Sequence, residues 1–274
     1  MTNAPNSDSI SFIGGGNMAR ALIGGLLAAG QPATAITAAD PASQQRQALA
    51  TDFGIRVLAD NANAVVDQRV VVLAVKPQVI DQVMADLAPT LDSQAMVISI
   101  AAGVTLDRLE SALGKRRALI RAMPNTPALY GAGMTGLVGN SACSEPDRQL
   151  AEQLFSAAGE AAWFDDEQLM DTVTAVSGSG PAYFFALTEH LARAGAAAGL
   201  PPDLAARLAR QTAIGAGVML AQSDIEAGEL RQRVTSPGGT TAAALGKFAS
   251  DDFARIVERA VAAAVQRGRE LGAG

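Results

Sequence analysis

Ser9-Ile-Ser-Phe-Ile-Gly-Gly-Gly-Asn-Met-Ala19 is an apolar run that breaks into three glycines and continues into alanine-rich sequence. The spacing Gly14-x-Gly16-x-x-Ala19 supplies a tight turn, a glycine where backbone can approach a bound group, and a small residue where helix packs on strand. A helix begins with unpaired N–H groups and a positive dipole end, which favours an anion, so the pattern implies the diphosphate of a dinucleotide. Glycine-rich turns of this kind also arise from packing alone. The reading therefore depends on the sequence around it.

The following sequence alternates β-branched or apolar runs with amphipathic segments, the pattern of strand–helix units around a mostly parallel sheet. Strands are expected near residues 9–14, 35–39, 56–58, 70–75, 96–99 and 118–122. Helices are expected to start near Asn17, Pro41, Asn61, Gln78 and Thr105, the last with Thr105 as N-cap, Asp107 in its first turn and Gly114 as its stop. The fold expected is α/β: a Rossmann-like, doubly wound, mostly parallel sheet over residues 9–165, preceded by a frayed tail at 1–8. Ligands of such sheets bind outside the carboxyl ends of the strands. Four strand ends then matter together: Gly14-Gly15-Gly16, Asp40, Ala74-Val75-Lys76-Pro77 and Ala101-Ala102-Gly103. Each by itself is also ordinary turn chemistry.

Beyond residue 165 long segments rich in Ala, Leu and Gly show no strand pattern, so residues 166–274 are expected to be all-helical. Residues 183–198 and 204–221 are small or apolar around much of their circumference, and one-sided packing would leave that surface exposed. A helical homodimer interface follows as the expectation.

Composition narrows the function. The chain has 274 residues, 49% hydrophobic and 18% charged, with a formal net charge of -6, a globular composition with no basic footprint for nucleic acid or an anionic membrane. The uncharged stretch 122–144 is broken by Pro124, Pro127 and several glycines, so no membrane span is expected. Cys143 is the single cysteine, which excludes an intramolecular disulfide and a thiolate metal cluster, and no metal is expected. The start of the chain lacks the pattern of a secretory signal, and a cytoplasmic setting fits best.

Two loops in the helical part could carry chemistry: Val176-Ser-Gly-Ser-Gly-Pro-Ala-Tyr183 and Val234-Thr-Ser-Pro-Gly-Gly-Thr-Thr241. Pro181 suits a first helical turn, and Thr240 or Thr241 could cap the next helix, which is the plain structural reading. The functional reading gives the N–H groups of Gly238, Gly239 and Thr240 a substrate carboxylate and gives a hydroxyl the reacting group. Proton donors are scarce: one histidine, His190, in a helical context, and only Lys76, Lys115 and Lys247. Ketone reduction usually needs such a donor, whereas an imine that arrives protonated needs only a positioned hydride and a hydrogen-bond partner. Imine reduction suits the chain.

The motifs Gly14 to Ala19, Leu73-Ala-Val-Lys-Pro77, Ser99-Ile-Ala-Ala-Gly-Val104, Arg121-Ala-Met-Pro-Asn-Thr-Pro127, Ser177-Gly-Ser-Gly-Pro-Ala-Tyr183 and Ser236-Pro-Gly-Gly-Thr-Thr241 occur in order over nearly the whole chain. Together they resemble the pyrroline-5-carboxylate reductases. The resemblance implies NAD(P)H-dependent reduction of 1-pyrroline-5-carboxylate to L-proline, the last step of proline biosynthesis, at a substrate site built at a dimer interface. It implies that Thr241 meets the imine nitrogen and that Val234, Ser236, Gly239 and Thr240 surround the carboxylate. Gly238 and the Ser177, Gly178 and Ser179 loop complete the expected substrate set.

By the same resemblance the cofactor contacts are Gly14, Gly15, Gly16, Asn17, Met18 and Ala19, with Asn61, Ala74, Val75, Lys76, Pro77, Ala101, Ala102 and Gly103. Asn125 and Thr126 are expected near the nicotinamide. Arg233 stands where some relatives carry Asn, which puts a side-chain contact to substrate there in doubt. Two readings of Asp40 stand: a carboxylate accepting the ribose hydroxyls of NADH, or a turn and helix initiator with Ser43 or Arg46 near the extra phosphate of NADPH. The family tips the expectation to NADPH, with NADH possible. The rival functions are another imine reductase or a 3-hydroxyacid-dehydrogenase-like enzyme, and a non-catalytic NAD(P) sensor. No lysine lies between Lys115 and Lys247, although such a dehydrogenase calls for one on the first long helix of its second domain. Family members also include higher oligomers built from dimers.

Overall fold

The computed structural model describes residues 8–272 and divides the chain into two compact units. One contains the chain through Gly178 together with the segment from Ala264 onward; the other is Ser179–Ala263. This differs from the boundary expected at 165. Met170 packs into one of the sheet's hydrophobic cores, which keeps the helical turns after residue 165 with the sheet. The chain's last turns return to the same unit: Gly268 leaves no room for a Cβ beside the Asp171 carboxylate, and Gly103 faces the Leu271 backbone. Of the expected frayed tail, residues 1–7 lie outside the described residues, and the Asp8 carbonyl accepts a hydrogen bond from the Gln31 amide at 2.8 Å.

The sheet unit contains β1 (Ile10–Ile13), β2 (Ile36–Ala39), β3 (Arg56–Leu58), β4 (Val70–Leu73), β5 (Met96–Ser99), β6 (Leu119–Met123), β7 (Gly133–Gly139) and β8 (Gly159–Trp163). Their order is β3-β2-β1-β4-β5-β6-β7-β8. Every neighbouring pair is parallel except β6 and β7. The chain moves outward from β1 to β3 and then crosses to β4 on the other side. The direction of winding therefore switches between β1 and β4, and that switch opens a crevice at the carboxyl ends. Ile13 is in register with Ala39 and with Leu73, so those ends are level.

Alternation along the strands feeds two hydrophobic cores, one on each face. Phe12, Val70, Val72 and Ile98 pack with Leu22, Ile23, Leu49 and Phe155, from α1 (Asn17–Ala28), α2 (Ser43–Phe53) and α6 (Glu145–Ser156). Ile13, Val71, Leu73 and Val97 pack with Ile80, Met84, Leu87 and Leu109, from α4 (Ile80–Leu87) and α5 (Leu106–Leu113). Full burial of side chains of this size stabilises by about 1.5–3 kcal/mol each, which is why both faces need a helical layer. Thr105 caps α5 by accepting from Arg108 N, Asp107 lies in its first turn and Gly114 ends it, as its sequence predicts. A short α3 (Asn61–Ala64) packs against β1 and β2, and α7 (Met170–Val173) follows β8.

The six expected strands are present, and β7 and β8 are two further strands that local periodicity does not mark. Glycines 133, 136 and 139 make β7 read as a loop, whereas here they allow close packing. A Cβ on Gly136 would lie 2.6 Å from Val173 Cγ1, and one on Gly139 would lie 2.9 Å from Cys143 Sγ. Gly159 opens β8 at φ +149°, where a Cβ would come within 2.1 Å of the Gly133 carbonyl oxygen.

The second unit is helical: α8 (Gly180–Ala197), α9 (Pro202–Ala221), α10 (Ala227–Arg233), α11 (Thr240–Ser250) and most of α12 (Phe253–Gly272). α8 packs along α9, with Gly195 against Leu200 and Ala205. Phe184, Phe185, Leu187, Leu191, Leu208, Ile214 and Val218 stay exposed on these two helices. The expected unpartnered apolar surface is therefore present.

Asp147 ties α6 to the sheet. Its carboxylate accepts from the Ser144 hydroxyl at 2.6 Å and the Ser144 N–H at 3.0 Å, closing a capping box, and it pairs with Arg69 beside β4. Burial pushes its carboxyl up, but the Ser144 hydroxyl and the Arg69 guanidinium outweigh this and hold it below the ordinary value of 3.8. A lowered folded value means the contribution is complete above the ordinary Asp range and is lost as pH falls through the folded value. Asp147→Ala should cost about 1–3 kcal/mol at pH 7 in urea unfolding. The gap to the unmodified chain should narrow as pH falls from the ordinary Asp range through the lowered folded value; a pH-independent gap would show that the charge contributes nothing. Gly159→Ala should destabilise by about 1–3 kcal/mol in the same assay, because neither the backbone angle nor the Gly133 contact can accept a methyl group.

Candidate active site

The glycine turn sits at the winding switch. Gly14 has φ +101°, and a Cβ there would lie 2.5 Å from the Ala74 carbonyl oxygen, so only glycine lets the ends of β1 and β4 come this close. Its N–H donates to the Ala39 carbonyl at 2.8 Å, and Ala74 N donates to the Ile13 carbonyl at 2.8 Å. Gly16 is the N-cap of α1 and has no side-chain cap, and no acidic residue lies in the first turn. Nothing lies within 4 Å of where its Cβ would be. Asn17 is exposed, Met18 half-buried and Ala19 buried against the core. An open turn leading to an uncapped helix N-terminus fits a diphosphate.

Asp40 is committed to this turn. One carboxylate oxygen accepts from Gly15 N at 2.9 Å and the other from Ala42 N at 2.9 Å. The Arg46 guanidinium donates to the Asp40 and Pro41 carbonyls at 2.8 Å each, and the Gln45 amide donates to the Gly15 carbonyl. Of the two readings of Asp40, the geometry favours turn initiation, and α2 then starts at Ser43 rather than Pro41. Ser43 is exposed at the first turn of a helix with no side-chain cap and no acid.

At the next strand ends Ala74 and Val75 are half-buried, Lys76 is exposed, and Pro77 opens a short 3₁₀ turn. Ala101 is buried, Ala102 exposed, and Gly103 has φ +76°. Asn61 is half-buried at the start of α3, which Asp60 caps by accepting from Asn63 N at 2.8 Å. These groups line the carboxyl edge of β2, β1, β4 and β5. Tertiary structure thus gathers residues spread across about ninety positions of sequence.

Asn125, expected near the nicotinamide, has both ends of its amide bonded to backbone. Its carbonyl accepts from Met134 N at 2.9 Å, its amide donates to the Ser177 carbonyl at 3.0 Å, and it is buried. The side chain is thus engaged in joining β7 to the turn at 174–178, a π-helical turn of a type frequent at functional sites. Thr126, itself exposed, begins a 3₁₀ turn. The Ser177 hydroxyl donates back to the Val173 carbonyl at 3.0 Å, and Gly178 faces Met123 Cε. Ser179 is the N-cap of α8 without a side-chain cap bond, and Pro181 lies in the first turn. An apolar cleft of about 330 Å³ lies nearby, lined by Met134, Phe164, Val173, Val176 and Ser177. Its lining carries no charged group.

In the helical unit Val234 ends α10 and is exposed, and Gly238 takes φ +71° in the turn closed by Gly239 N donating to the Ser236 carbonyl at 3.0 Å. Gly239, not a threonine, is the N-cap of α11, and no side chain caps it. The capping reading of Thr240 and Thr241 is therefore overturned: both lie inside the first turn, Thr240 exposed and Thr241 partly so. The helix start keeps N–H groups and hydroxyls together without a carboxylate. Arg233 pairs with Glu229 one turn earlier at 2.7 Å, on the exposed surface of α10. His190 is exposed in the middle of α8. No local motif marks Gln45 or the Arg121–Glu167 pair, whose contacts join residues 30 and 46 positions apart.

Residues 9–103 match the family model of NADP oxidoreductase, coenzyme F420-dependent, and residues 167–271 match that of pyrroline-5-carboxylate reductase dimerisation. The chain is 51% identical to the pyrroline-5-carboxylate reductase of Pseudomonas aeruginosa, over 96% of each sequence. Among solved structures, the pyrroline-5-carboxylate reductase of Coxiella burnetii superimposes with a TM-score of 0.94 at 38% identity, covering 97% of this chain and 99% of that one. The Plasmodium falciparum pyrroline carboxylate reductase, solved with NADP bound, gives 0.83 at 29% identity, covering 97% and 98%. With a glycine turn at the winding switch, an uncapped hydroxyl turn on the helical unit and full-length similarity of this degree, the chain belongs to the pyrroline-5-carboxylate reductase family.

Proposed function

We propose that the chain catalyses the NAD(P)H-dependent reduction of 1-pyrroline-5-carboxylate to L-proline. The observation that carries the reading is the turn from Ser236 to Thr241, which presents N–H groups and hydroxyls at a helix start with no side-chain cap and no acid in its first turn. Such a turn suits a small carboxylated substrate. The similarity to named reductases over the full chain supports the same reaction.

The sheet unit would hold the dinucleotide, with its diphosphate on Gly14, Gly15, Gly16, Asn17, Met18 and Ala19 at the start of α1. Its two nucleoside halves would extend along Asn61 on the β2 and β3 side and along Ala74 to Pro77 and Ala101 to Gly103 on the β4 and β5 side. When bound, the reduced nicotinamide supplies the hydride that turns the imine carbon–nitrogen double bond into the secondary amine of proline. Gly238, Gly239 and Thr240 would hold the substrate carboxylate, with Val234 and Ser236 shaping the loop. Thr241 would place its hydroxyl on the imine nitrogen. Ser177, Gly178 and Ser179 are the remaining proposed substrate contacts, and Asn125 holds the Ser177 carbonyl. The imine arrives protonated, so no further proton donor is required, in keeping with an exposed His190 and only three lysines. NADPH is the proposed physiological donor: Asp40 already satisfies Gly15 and Ala42 N–H groups, and the start of α2 carries Ser43 and no acid.

The dimerisation segment and the exposed apolar faces of α8 and α9 support a homodimer, which we extend to a higher oligomer built from dimers. Among the described residues no helix is long and apolar enough to cross a membrane. A cytoplasmic setting is proposed, consistent with the single thiol of Cys143, which burial pushes up to about 11 and which donates to the Leu119 carbonyl.

The purified protein should oxidise NADPH in the presence of pyrroline-5-carboxylate, and absence of turnover with either reduced nicotinamide would sink the proposal. In the same assay Thr241→Ala should lower kcat by the loss of one hydrogen bond to the reacting nitrogen, about 1–3 kcal/mol or roughly 5- to 150-fold. An unchanged kcat would remove Thr241 from the mechanism. Asp40→Ala should lower kcat/KM for NADPH and NADH together, leaving their ratio within about threefold, since it loosens the turn both share. A large rise in the ratio in favour of NADPH would return Asp40 to the ribose.

A further inference from the structure

Glu167 joins three segments that are distant in sequence. Its Oε1 pairs with the Arg121 guanidinium and also accepts from the Leu106 N–H at 2.7 Å. Arg121 lies on β6, in register with Ser99 on β5, and leads through Met123 to Asn125. Leu106 begins α5 directly after the turn at 101–105. Glu167 itself opens the run through α7 into the π-helical turn that ends at Gly178. The Arg121 side chain is only 9% exposed and that of Glu167 29%. Burying such a pair is poor value for stability, since apolar side chains of similar volume often do as well. What a charged pair adds is direction: a carboxylate that meets a guanidinium and a backbone N–H has few orientations open to it.

We propose that Glu167 is a positioning residue that sets the turn at 101–105 and the turn at 174–178 relative to the end of β6. This rests on the reading of Ala101, Ala102 and Gly103 as cofactor contacts. The pair then acts on cofactor affinity through backbone placement, without touching the cofactor.

The test compares Glu167→Ala, Glu167→Gln and the apolar pair Arg121→Met with Glu167→Leu in the full-length chain. Three quantities are read: Tm, NADPH Kd by fluorescence titration, and hydrogen exchange of peptides covering 101–106 and 174–178. Glu167→Ala should raise Kd by about 10-fold and speed exchange in both peptides, while the Gly14 to Ala19 peptide keeps its rate. Glu167→Gln, which retains an acceptor for Leu106 N, should recover part of the loss. The apolar pair should bring Tm back to the unmodified value yet leave Kd and exchange raised. Recovery of Kd together with Tm in the apolar pair would make the interaction purely structural and overturn the inference, as would an unchanged Kd in Glu167→Ala. Unmodified protein that binds NADPH but does not reduce pyrroline-5-carboxylate would remove the proposed reaction and leave the Kd comparison decisive. Unmodified protein that bound no NADPH would overturn the cofactor reading and the inference together.

Discussion

The contact between Gly14 and the Ala74 carbonyl sets the geometry of the sheet unit. Two strands that leave the switch point in opposite winding directions end level with each other, and the space between their ends is too small for a Cβ. Glycine at this position lets the β1 turn lie against the end of β4, so that α1 starts over the crevice with its N–H groups outward. A methyl group would force the two ends apart and move the helix start away from the strand ends that flank it.

Around that contact the unit spends its polar side chains on backbone. Asp40 satisfies two N–H groups, Arg46 two carbonyls, Gln45 one, and Asn125 one of each. Loops at the carboxyl edge have no ladder of their own, and these bonds supply the missing partners while holding each turn in one shape. The helix starts stay uncapped at α1 and α11, where a side-chain cap would compete with an anion. Side-chain caps are present at α3, α5 and α6.

The helical unit solves a different problem. Its helices are built from small and apolar residues, and within one chain α8 and α9 leave phenylalanines and leucines in solvent. A surface of that kind is costly in water and is relieved by association, in keeping with the match of this segment to a dimerisation model. The charged side chains of this unit are exposed, some of them in i,i+4 pairs such as Arg233 with Glu229 and Lys247 with Asp251, which add little to stability.

Periodicity and turn chemistry, both local properties, made β1 to β6, the capped start of α5 and the helical second half legible from the order of residues alone. The glycine turn and the hydroxyl–glycine loops were legible for the same reason, since each requires particular residue types at adjacent positions. β7 and β8 were not, because their glycines answer to Val173, Cys143 and Gly133 across space, and a glycine needed for close packing looks in sequence like one needed for a turn. The duties of Asp40 and Asn125, the N-cap of α11 and the Arg121–Glu167 pair were decided only by folding. Each depends on which backbone groups tertiary packing leaves without a partner, and local sequence carries no record of that.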